Sequence, residues 1–183
     1  MKKLKFILST LTILSGLSAM SFADTCPRPD TLTWDSKTGK WTAGNWPEED
    51  NPQISMNKTS RIKKRFLGAL ANNDKPDNSE LQCMYLITSK VPNPIKQDVI
   101  LLSPPEEEYK SITFSDNWKL TSEVKSEDIY SQLSAKWTVT ATVKAELERI
   151  LSSRTHICLA SHKDEINTKD CQFSKKAPLK DNN

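Results

Sequence analysis

The sequence is poor in glycine and histidine, and this scarcity excludes several classes of site. It has 4 glycines and 2 histidines in 183 residues. After residue 23 the glycines are Gly39, Gly44 and Gly68, and no two have the spacing of a P-loop or a dinucleotide fingerprint. The G-x-S-x-G motif of a nucleophile elbow is also missing. We therefore expect neither a phosphate-cradling fold nor a hydrolase of that type.

An excess of basic side chains is missing as well. The chain has 26 Lys+Arg against 23 Asp+Glu, and Lys2, Lys3 and Lys5 lie in the first 23 residues, which contain no acid. The remainder is therefore formally neutral. Nucleic-acid-binding proteins usually carry a marked basic excess. The balance predicts that nucleic acid is not a partner.

The amino terminus has the pattern of a secretory signal peptide. A short basic start precedes an apolar stretch from Phe6 to Ala19, and Ser21 and Ala23 offer small residues before a cut at Asp24. An uncleaved membrane anchor is the alternative, although the apolar run is shorter than a typical spanning helix. We expect residues 1–23 to be a signal peptide, with no integral membrane segment after its removal. The predicted location is the periplasm, or alternatively the medium or the host.

The chain has 4 cysteines, and an even number in an exported protein predicts two disulfides. The sequence allows three connectivities. Cys158 and Cys171 are close in sequence and flank a polar segment, so we expect them to be bonded to each other. The remaining bond would then join Cys26 to Cys83.

Metal binding and catalysis receive little support from the sequence. His156, Cys158, His162 and Cys171 are residue types that bind zinc, but their spacing matches no familiar zinc finger. We therefore expect no metal and no cofactor. The acidic runs at residues 48–50 and 106–108 lie beside prolines and are typical of solvated loops. No catalytic residue is predicted, and a cell-wall hydrolase ranks behind protein binding and glycan binding as a functional hypothesis.

Alternating patterns predict that the fold is mainly β. Thr31–Trp34, a turn at Asp35–Gly39, and Lys40–Thr42 indicate a hairpin with Trp34 and Trp41 on or near one face. Trp46 and Pro47 lead into the first acidic run, which we expect to be a loop.

The segment Ser60–Asn72 fits either an amphipathic helix or a strand. We prefer a strand at Phe66–Ala71 paired with Leu81–Ser89, because the second member is rich in β-forming residues.

Further short elements follow in the second half of the chain. The expected strands are Val99–Leu102, Ile112–Phe114, Trp118–Leu120, an alternating segment from Trp137 to Val143, and a last pair formed by Ile157–Ala160 and Cys171–Phe173. One helical turn is expected from Ser126, with Ser126 as its cap, and a short helix at Ala145–Leu151. The prediction is an α+β, β-rich, single compact antiparallel-sheet domain over residues 24–174, with one or two short helices and disulfide staples. A disordered tail is expected over residues 175–183.

Two segments are candidate contact surfaces. Trp34, Trp41 and Trp46 could form an aromatic platform for a glycan or a peptide, although core packing of the hairpin is favoured. The basic stretch, defined as Arg61, Lys63, Lys64 and Arg65, could dock on an acidic partner or remain a solvated surface.

Several short signatures resemble a family of small exported proteins from intracellular Gram-negative bacteria, the EirA-like proteins. The signatures are Asp24–Pro29, the three tryptophans, Phe66–Ala69, Cys83–Tyr85, Cys158 and Cys171–Phe173. The resemblance implies a non-enzymatic periplasmic protein that a type IV secretion system needs to deliver effectors during growth inside host cells. It carries no catalytic motif, so no site residue is transferred. We therefore expect a virulence accessory that binds a protein partner in the cell envelope, such as a secretion-system component. The alternative is a secreted glycan-binding module or a cell-wall-associated virulence factor.

Overall fold

A computed structural model describes residues 24–48, 61–72, 80–90, 96–105, 112–134, 139–160 and 167–175. The predicted signal peptide and positions 176–183 of the predicted tail lie outside these residues. Lys175, where we expected the tail to begin, is the last residue of a strand. The described chain forms three antiparallel sheets and two short α-helices. The β-rich α+β class is confirmed.

The elements are numbered in chain order. The strands are β1 (Thr33–Asp35), β2 (Lys40–Ala43), β3 (Trp46–Pro47), β4 (Arg61–Asn72), β5 (Glu80–Lys90), β6 (Lys96–Leu102), β7 (Ile112–Phe114), β8 (Lys119–Leu120), β9 (His156–Leu159) and β10 (Phe173–Lys175), and the helices are α1 (Ser126–Ser134) and α2 (Ala141–Ser152). Among the described residues, no helix is long and apolar enough to cross a membrane.

A five-stranded sheet in the order β6-β5-β4-β9-β8 forms the centre of the molecule. Its longest pairing joins β4 to β5, from Arg61 opposite Lys90 to Asn72 opposite Glu80. The preferred strand pair is therefore confirmed, and both strands are longer than we expected. The helix alternative for Ser60–Asn72 is excluded over the described part of that segment.

Gly68 lies at a bulge in β4, where the register with β5 shifts. Its φ is +152°, and an ideal Cβ there would lie 2.2 Å from the carbonyl oxygen of Cys158 in β9. Only glycine allows the two backbones to approach this closely. The bulge places both Phe66 and Ala69 on one face, while Leu67 packs on the other.

The central sheet is covered on both faces, so the described fold has three layers. The two helices cover one face, which we call the helix face. Its buried core is formed by Leu67, Leu70, Met84, Leu86, Val99, Leu101 and Ile157 of the sheet with Ile129, Leu133, Val143, Leu147, Ile150 and Leu151 of the helices.

The opposite face, which we call the hairpin face, is covered by two small sheets, β1-β2-β3 and β7-β10. These two sheets and the segment that precedes β1 form the outer layer, which we call the hairpin layer. The buried core of the hairpin face joins Phe66, Ala69, Ala71, Leu81, Cys83, Tyr85, Ile87, Ile100, Leu102 and Cys158 of the central sheet to Cys26, Leu32, Trp41, Ala43, Trp46, Ile112, Trp118, Cys171 and Phe173.

Both predicted disulfides are confirmed. Cys26 bonds to Cys83 with Cα atoms 5.7 Å apart, and Cys158 bonds to Cys171 with Cα atoms 5.6 Å apart. All four cysteines are at least 98% buried, within the core of the hairpin face. Each bond therefore ties the outer layer covalently to the central sheet.

The strand expected at Trp137–Val143 is wrong over its described part. Ala141 begins α2, and the hydroxyl of Thr140 caps it by accepting the N–H of Val143 at 3.4 Å. The apolar positions of this helix continue from Val143 at helical spacing, namely Leu147, Ile150 and Leu151. This longer stripe, together with the cap, outweighs the short alternation before it. Trp137 lies outside the described residues. The helix expected at Ala145–Leu151 is confirmed within α2.

Other local expectations need correction. The last two strands exist as β9 and β10, but β9 pairs with β4 and β8, while β10 pairs with β7. The Cys158–Cys171 disulfide, rather than strand pairing, links them. Helix α1 has 9 residues instead of one turn and already includes Ser126.

Glu48 does not lie in a solvated loop. It is 3% exposed, and its backbone forms an isolated antiparallel β-bridge with Leu102 of β6. Its Oε2 accepts the backbone N–H of Trp41 at 2.6 Å. The carboxylate therefore supports the backbone of the hairpin layer.

Candidate functional site

The structure buries most of the tryptophan segment. Trp41 is 2% exposed and Trp46 8% exposed, and both belong to the core of the hairpin face. Trp34 is half-buried and meets the Trp41 ring edge-on, with centroids 5.5 Å apart and planes at 61°. The expected hairpin with both rings on one face is confirmed. Of the three rings, only that of Trp34 has surface left for a ligand.

Strand geometry divides the basic stretch between two faces. Lys63 and Arg65 alternate with Lys64 along β4, so Lys64 points to the opposite face. Lys63 is exposed, whereas Lys64 and Arg65 are half-buried. The side chain of Arg61 lies outside the described residues. The stretch therefore does not form one continuous basic surface, and Lys63 is its most accessible described member.

Lys64 contributes to packing within the hairpin layer. Its Nζ donates to the carbonyl oxygen of Leu32 and lies 5.5 Å from the Trp41 ring centroid. Burial lowers the pKa of Lys64, while the negative charge of Asp30 acts in the opposite direction. This ammonium is therefore unlike a solvated surface charge.

The described surface contains a different candidate site, at the β8 edge of the central sheet. Strand β8 has only two residues, and Lys119 pairs with Ile157 and Leu120 with His156. Before Lys119 the chain leaves β9, and after Leu120 it keeps one backbone contact, from the N–H of Thr121 to the carbonyl oxygen of Thr155 at 2.9 Å, as it enters a 3₁₀ turn at Thr121–Glu123. Each end of β8 therefore opens onto a cavity on the helix face.

The larger cavity, of about 380 Å³, lies at the start of β8. Its lining residues are Asp116, Asn117, Lys119, Val124, Ile157, Leu159 and Asp170. The Nδ2 of Asn117 donates to the carbonyl oxygen of Asp170 at 2.8 Å, which joins the two loops that bound the cavity. Asp116 and Lys119 are exposed, so the cavity reaches the surface.

The smaller cavity, of about 300 Å³, lies at the end of β8. Its lining residues are Thr121, Ser122, Val124, Ile129, Glu148, Leu151, Ser152, Arg154 and Ile157. Arg154 reaches across to β5, where its Nε and Nη2 donate to Oε1 of Gln82 at 2.9 and 2.5 Å and its Nη1 lies 3.6 Å from Oε2 of Glu80. The guanidinium is therefore already engaged, and Glu148 is exposed at the mouth beside the Tyr130 hydroxyl.

Val124 and Ile157 line both cavities. Because they share these two residues, the cavities form one continuous feature. Leu159 lines only the larger cavity, so the cavities follow one another along β9. We call this feature the edge groove. It has an apolar floor and a polar, charged rim, which is the usual make-up of a binding groove.

The hairpin face of the same edge is also apolar. Leu120 is 42% exposed and is the one large apolar side chain that is exposed in the described part of the chain. Its partner His156 lies against the ring of Phe114, with centroids 4.9 Å apart, and Phe114 stacks on Trp118 at 4.5 Å. Trp118 is fixed by its Nε1, which donates to the carbonyl oxygen of Gln172 at 2.9 Å.

Sequence reasoning did not find this site. Val124 and Leu120 are isolated apolar residues in a polar segment and gave no periodic signal. The tertiary structure alone brings them to the edge of the sheet, because β8 ends at Leu120 and Val124 then lines the cavities together with Ile157 of β9. His162, the third residue of the hypothetical zinc set, lies outside the described residues. Within the described ranges, no group of three or more His, Cys, Asp or Glu residues is placed to hold a metal.

Comparisons with known proteins found no matching family model, no matching curated protein and no matching solved structure.

Proposed function

We propose that this protein is exported to the periplasm and acts there by binding a protein partner in the cell envelope, in support of a type IV secretion system. The observation that carries the proposal is the pair of buried disulfides, each of which joins the outer layer to the central sheet. Such bonds form and persist in oxidising compartments. The signal-like amino terminus supports the same location, and the resemblance to EirA-like proteins supports the role in secretion.

The edge groove supports the binding part of the proposal. Exposed apolar surface with a polar rim is typical of interaction sites. Here the apolar surface lies on both faces of a sheet edge, around Leu120 and around Val124. Lys63 remains a second point at which an acidic partner could make contact.

The glycan-binding alternative has no specific observation in its favour. Its platform would need several exposed tryptophan rings, and Trp41 and Trp46 are core residues. We therefore retain one function, protein binding.

The test has two parts. Fractionation of the producing bacterium should recover the protein from the periplasm, and a chromosomal deletion should reduce effector delivery and intracellular growth, with complementation restoring both. Accumulation in the culture medium would contradict the location. Unchanged effector delivery in the deletion strain would remove the secretion role.

The partner itself should be captured from oxidised periplasm by the tagged, disulfide-intact protein. A matched sample with the disulfides reduced controls for the fold, because it should lose the partner. Equal recovery by both samples would show that the capture does not depend on the folded surface.

A further inference from the structure

The edge groove has the geometry of a site for strand addition. An added strand would lie beside β8, and its side chains would alternate between the two faces of the sheet. Both faces offer apolar surface at this place. The helix face presents the two cavities, and the hairpin face presents Leu120 beside His156 and Phe114.

The length of β8 fits this arrangement. The two cavities lie at the two ends of a strand of two residues. Residues i and i+2 of an extended segment are about 7 Å apart, which is the span of two strand residues. Side chains i and i+2 can therefore enter the cavities on either side of Val124, while side chain i+1 contacts Leu120 on the opposite face.

The backbone at this edge can accept another strand. Within the described residues, β8 is the last strand of the sheet on this side, and it pairs only with Ile157 and His156. The outer backbone groups of such a strand are the usual template for an incoming segment.

The charges at the rim indicate the chemistry of the occupant. An exposed carboxylate belongs to each cavity, Asp116 at the start of β8 and Glu148 at its end. Of the two cations in the lining, Arg154 already faces Glu80 across 3.6 Å, whereas Lys119 lies opposite Ile157, which lines both cavities. Positive charge is therefore favoured at the two ends of the bound segment rather than at its middle.

We propose that the edge groove binds an extended segment of a partner protein, in which two apolar residues are separated by any one residue and a Lys or Arg follows on each side after one spacer residue. This deepens the proposed function, because it names the surface and the kind of segment that it recognises. Backbone pairing aligns the bound segment along β8, the cavities select the apolar pair, and Asp116 and Glu148 select the flanking cations.

The test is an NMR titration of the oxidised protein with the peptide Lys-Ser-Leu-Val-Leu-Ser-Lys. We expect shifts at β8, Val124 and Leu159 that saturate at millimolar peptide. A peptide with Glu in place of both Lys should bind more weakly. N-methylation of the central Val should remove binding, because it removes a backbone donor. Equal binding of the acidic or the N-methylated peptide would overturn the charge or the strand-addition part, and absence of binding by every peptide would overturn the proposal.

Protein variants test the same surface. Val124→Trp fills the space between the cavities and should weaken binding by about tenfold, an effect in the range of a lost apolar anchor. The double change Asp116→Asn with Glu148→Gln removes two exposed charges, and the new glutamine keeps an oxygen that can accept from the neighbouring Tyr130 hydroxyl. It should weaken binding of the basic peptide by about fivefold and abolish the preference over the acidic one. Asp30→Asn is the control, because it removes an exposed acid on the hairpin face together with its ion pair to Arg28, and it should leave peptide binding unchanged.

The outcome for the natural partner separates this inference from the function on which it rests. If Val124→Trp, folded by NMR, no longer captures the envelope partner, both stand. If it captures the partner as well as the parent protein does, the edge groove is not the docking surface, although protein binding stands. If the parent protein captures no partner, the proposed function itself fails.

Discussion

Cys83 and Cys158 lie in one cross-strand row of the central sheet, on either side of Ala69. Adjacent strands are about 4.8 Å apart, so these two cysteines are separated by about 10 Å, which is too far for a direct disulfide. Each bonds instead to a cysteine in the covering layer, Cys26 or Cys171. The small side chain of Ala69 leaves room for both bridges on the same face.

The long bridge should stabilise the fold more than the short one. The sequence separations are 57 residues for Cys26–Cys83 and 13 for Cys158–Cys171. Loop entropy predicts that the free energy of unfolding falls by about 4 kcal/mol when the long bridge is replaced by two alanines and by about 3 kcal/mol when the short one is. Denaturant unfolding of the two double variants measures both losses. Free thiols in the unfolded, unreduced parent protein, counted by mass spectrometry after alkylation, would contradict the assignment.

Gly68→Ala should be one of the most destabilising single changes in the described chain. The new Cβ would meet the carbonyl oxygen of Cys158 at 2.2 Å, which backbone atoms cannot relieve without separating β4 from β9. We expect a loss of about 3 kcal/mol or more in the free energy of unfolding. Gly39→Ala is the control, since it also has a positive φ, of +69°, but no atom within 4 Å of the new Cβ. Its cost should stay near the usual left-handed penalty of about 1 kcal/mol. Similar losses for both variants would argue against a close contact at Gly68.

Trp41→Ala should unfold or severely weaken the hairpin layer. The ring is 2% exposed and packs against Trp34 and Lys64, so the expected loss is about 3–5 kcal/mol. Changing the half-buried Trp34 to Ala should lower the free energy of unfolding distinctly less. Thermal unfolding followed by circular dichroism provides the comparison. A Trp41→Ala variant with unchanged stability would return this ring to the list of contact residues.

Lys63 and Lys64 should respond differently to charge reversal although they are neighbours. Lys63→Glu changes an exposed side chain and should alter stability by less than about 0.5 kcal/mol. Lys64→Glu removes the donor to the Leu32 carbonyl and places an acid near the face of Trp41. It should cost about 1 kcal/mol or more. Urea titration of both variants distinguishes them, and equal effects would contradict the division of the basic stretch.

The fold should lose stability as the pH rises above 10.0, the ordinary tyrosine pKa. The hydroxyl of Tyr85 donates to the Pro27 carbonyl at 2.7 Å, and burial raises the pKa of Tyr85 well above that value. The folded protein therefore keeps a proton that the unfolded chain releases, and the stabilisation present below pH 10.0 is lost as the pH rises. The slope contributed by one such group approaches about 1.4 kcal/mol per pH unit.

Two phenylalanine variants measure this dependence. Tyr85→Phe should flatten the alkaline slope of the unfolding free energy, whatever it does to stability at neutral pH. Burial, with a smaller effect of the Glu148 charge, raises the pKa of Tyr130 to about 12. Tyr130→Phe should therefore remove a separate part of the slope. A Tyr85→Phe protein with the parent slope would show that this hydroxyl does not titrate with unfolding.

Much of the local structure could be predicted because it depends on short-range pattern. Alternating side chains indicated the tryptophan hairpin, and β-forming residues indicated β5 and β6. The same rule failed at Val139–Val143, where a short alternation preceded a longer helical stripe that ends at Leu151. Two periods overlapped there, and the cap at Thr140 marks where the helical one begins.

The sequence by itself determined the β-rich class, and the short separation of Cys158 from Cys171 indicated the correct cysteine pairing among the three that the sequence allows. Tertiary structure alone decided which strands are neighbours, because hydrogen bonding between strands joins residues that are far apart in the chain. It therefore also decided that Glu48 and Lys64 are held by the hairpin layer, since their burial depends on what packs over them. The edge groove belongs to this second group. It exists because the chain leaves β9 before Lys119 and turns away from it again in the 3₁₀ turn that follows Leu120, and no local pattern of residues records where two distant segments separate.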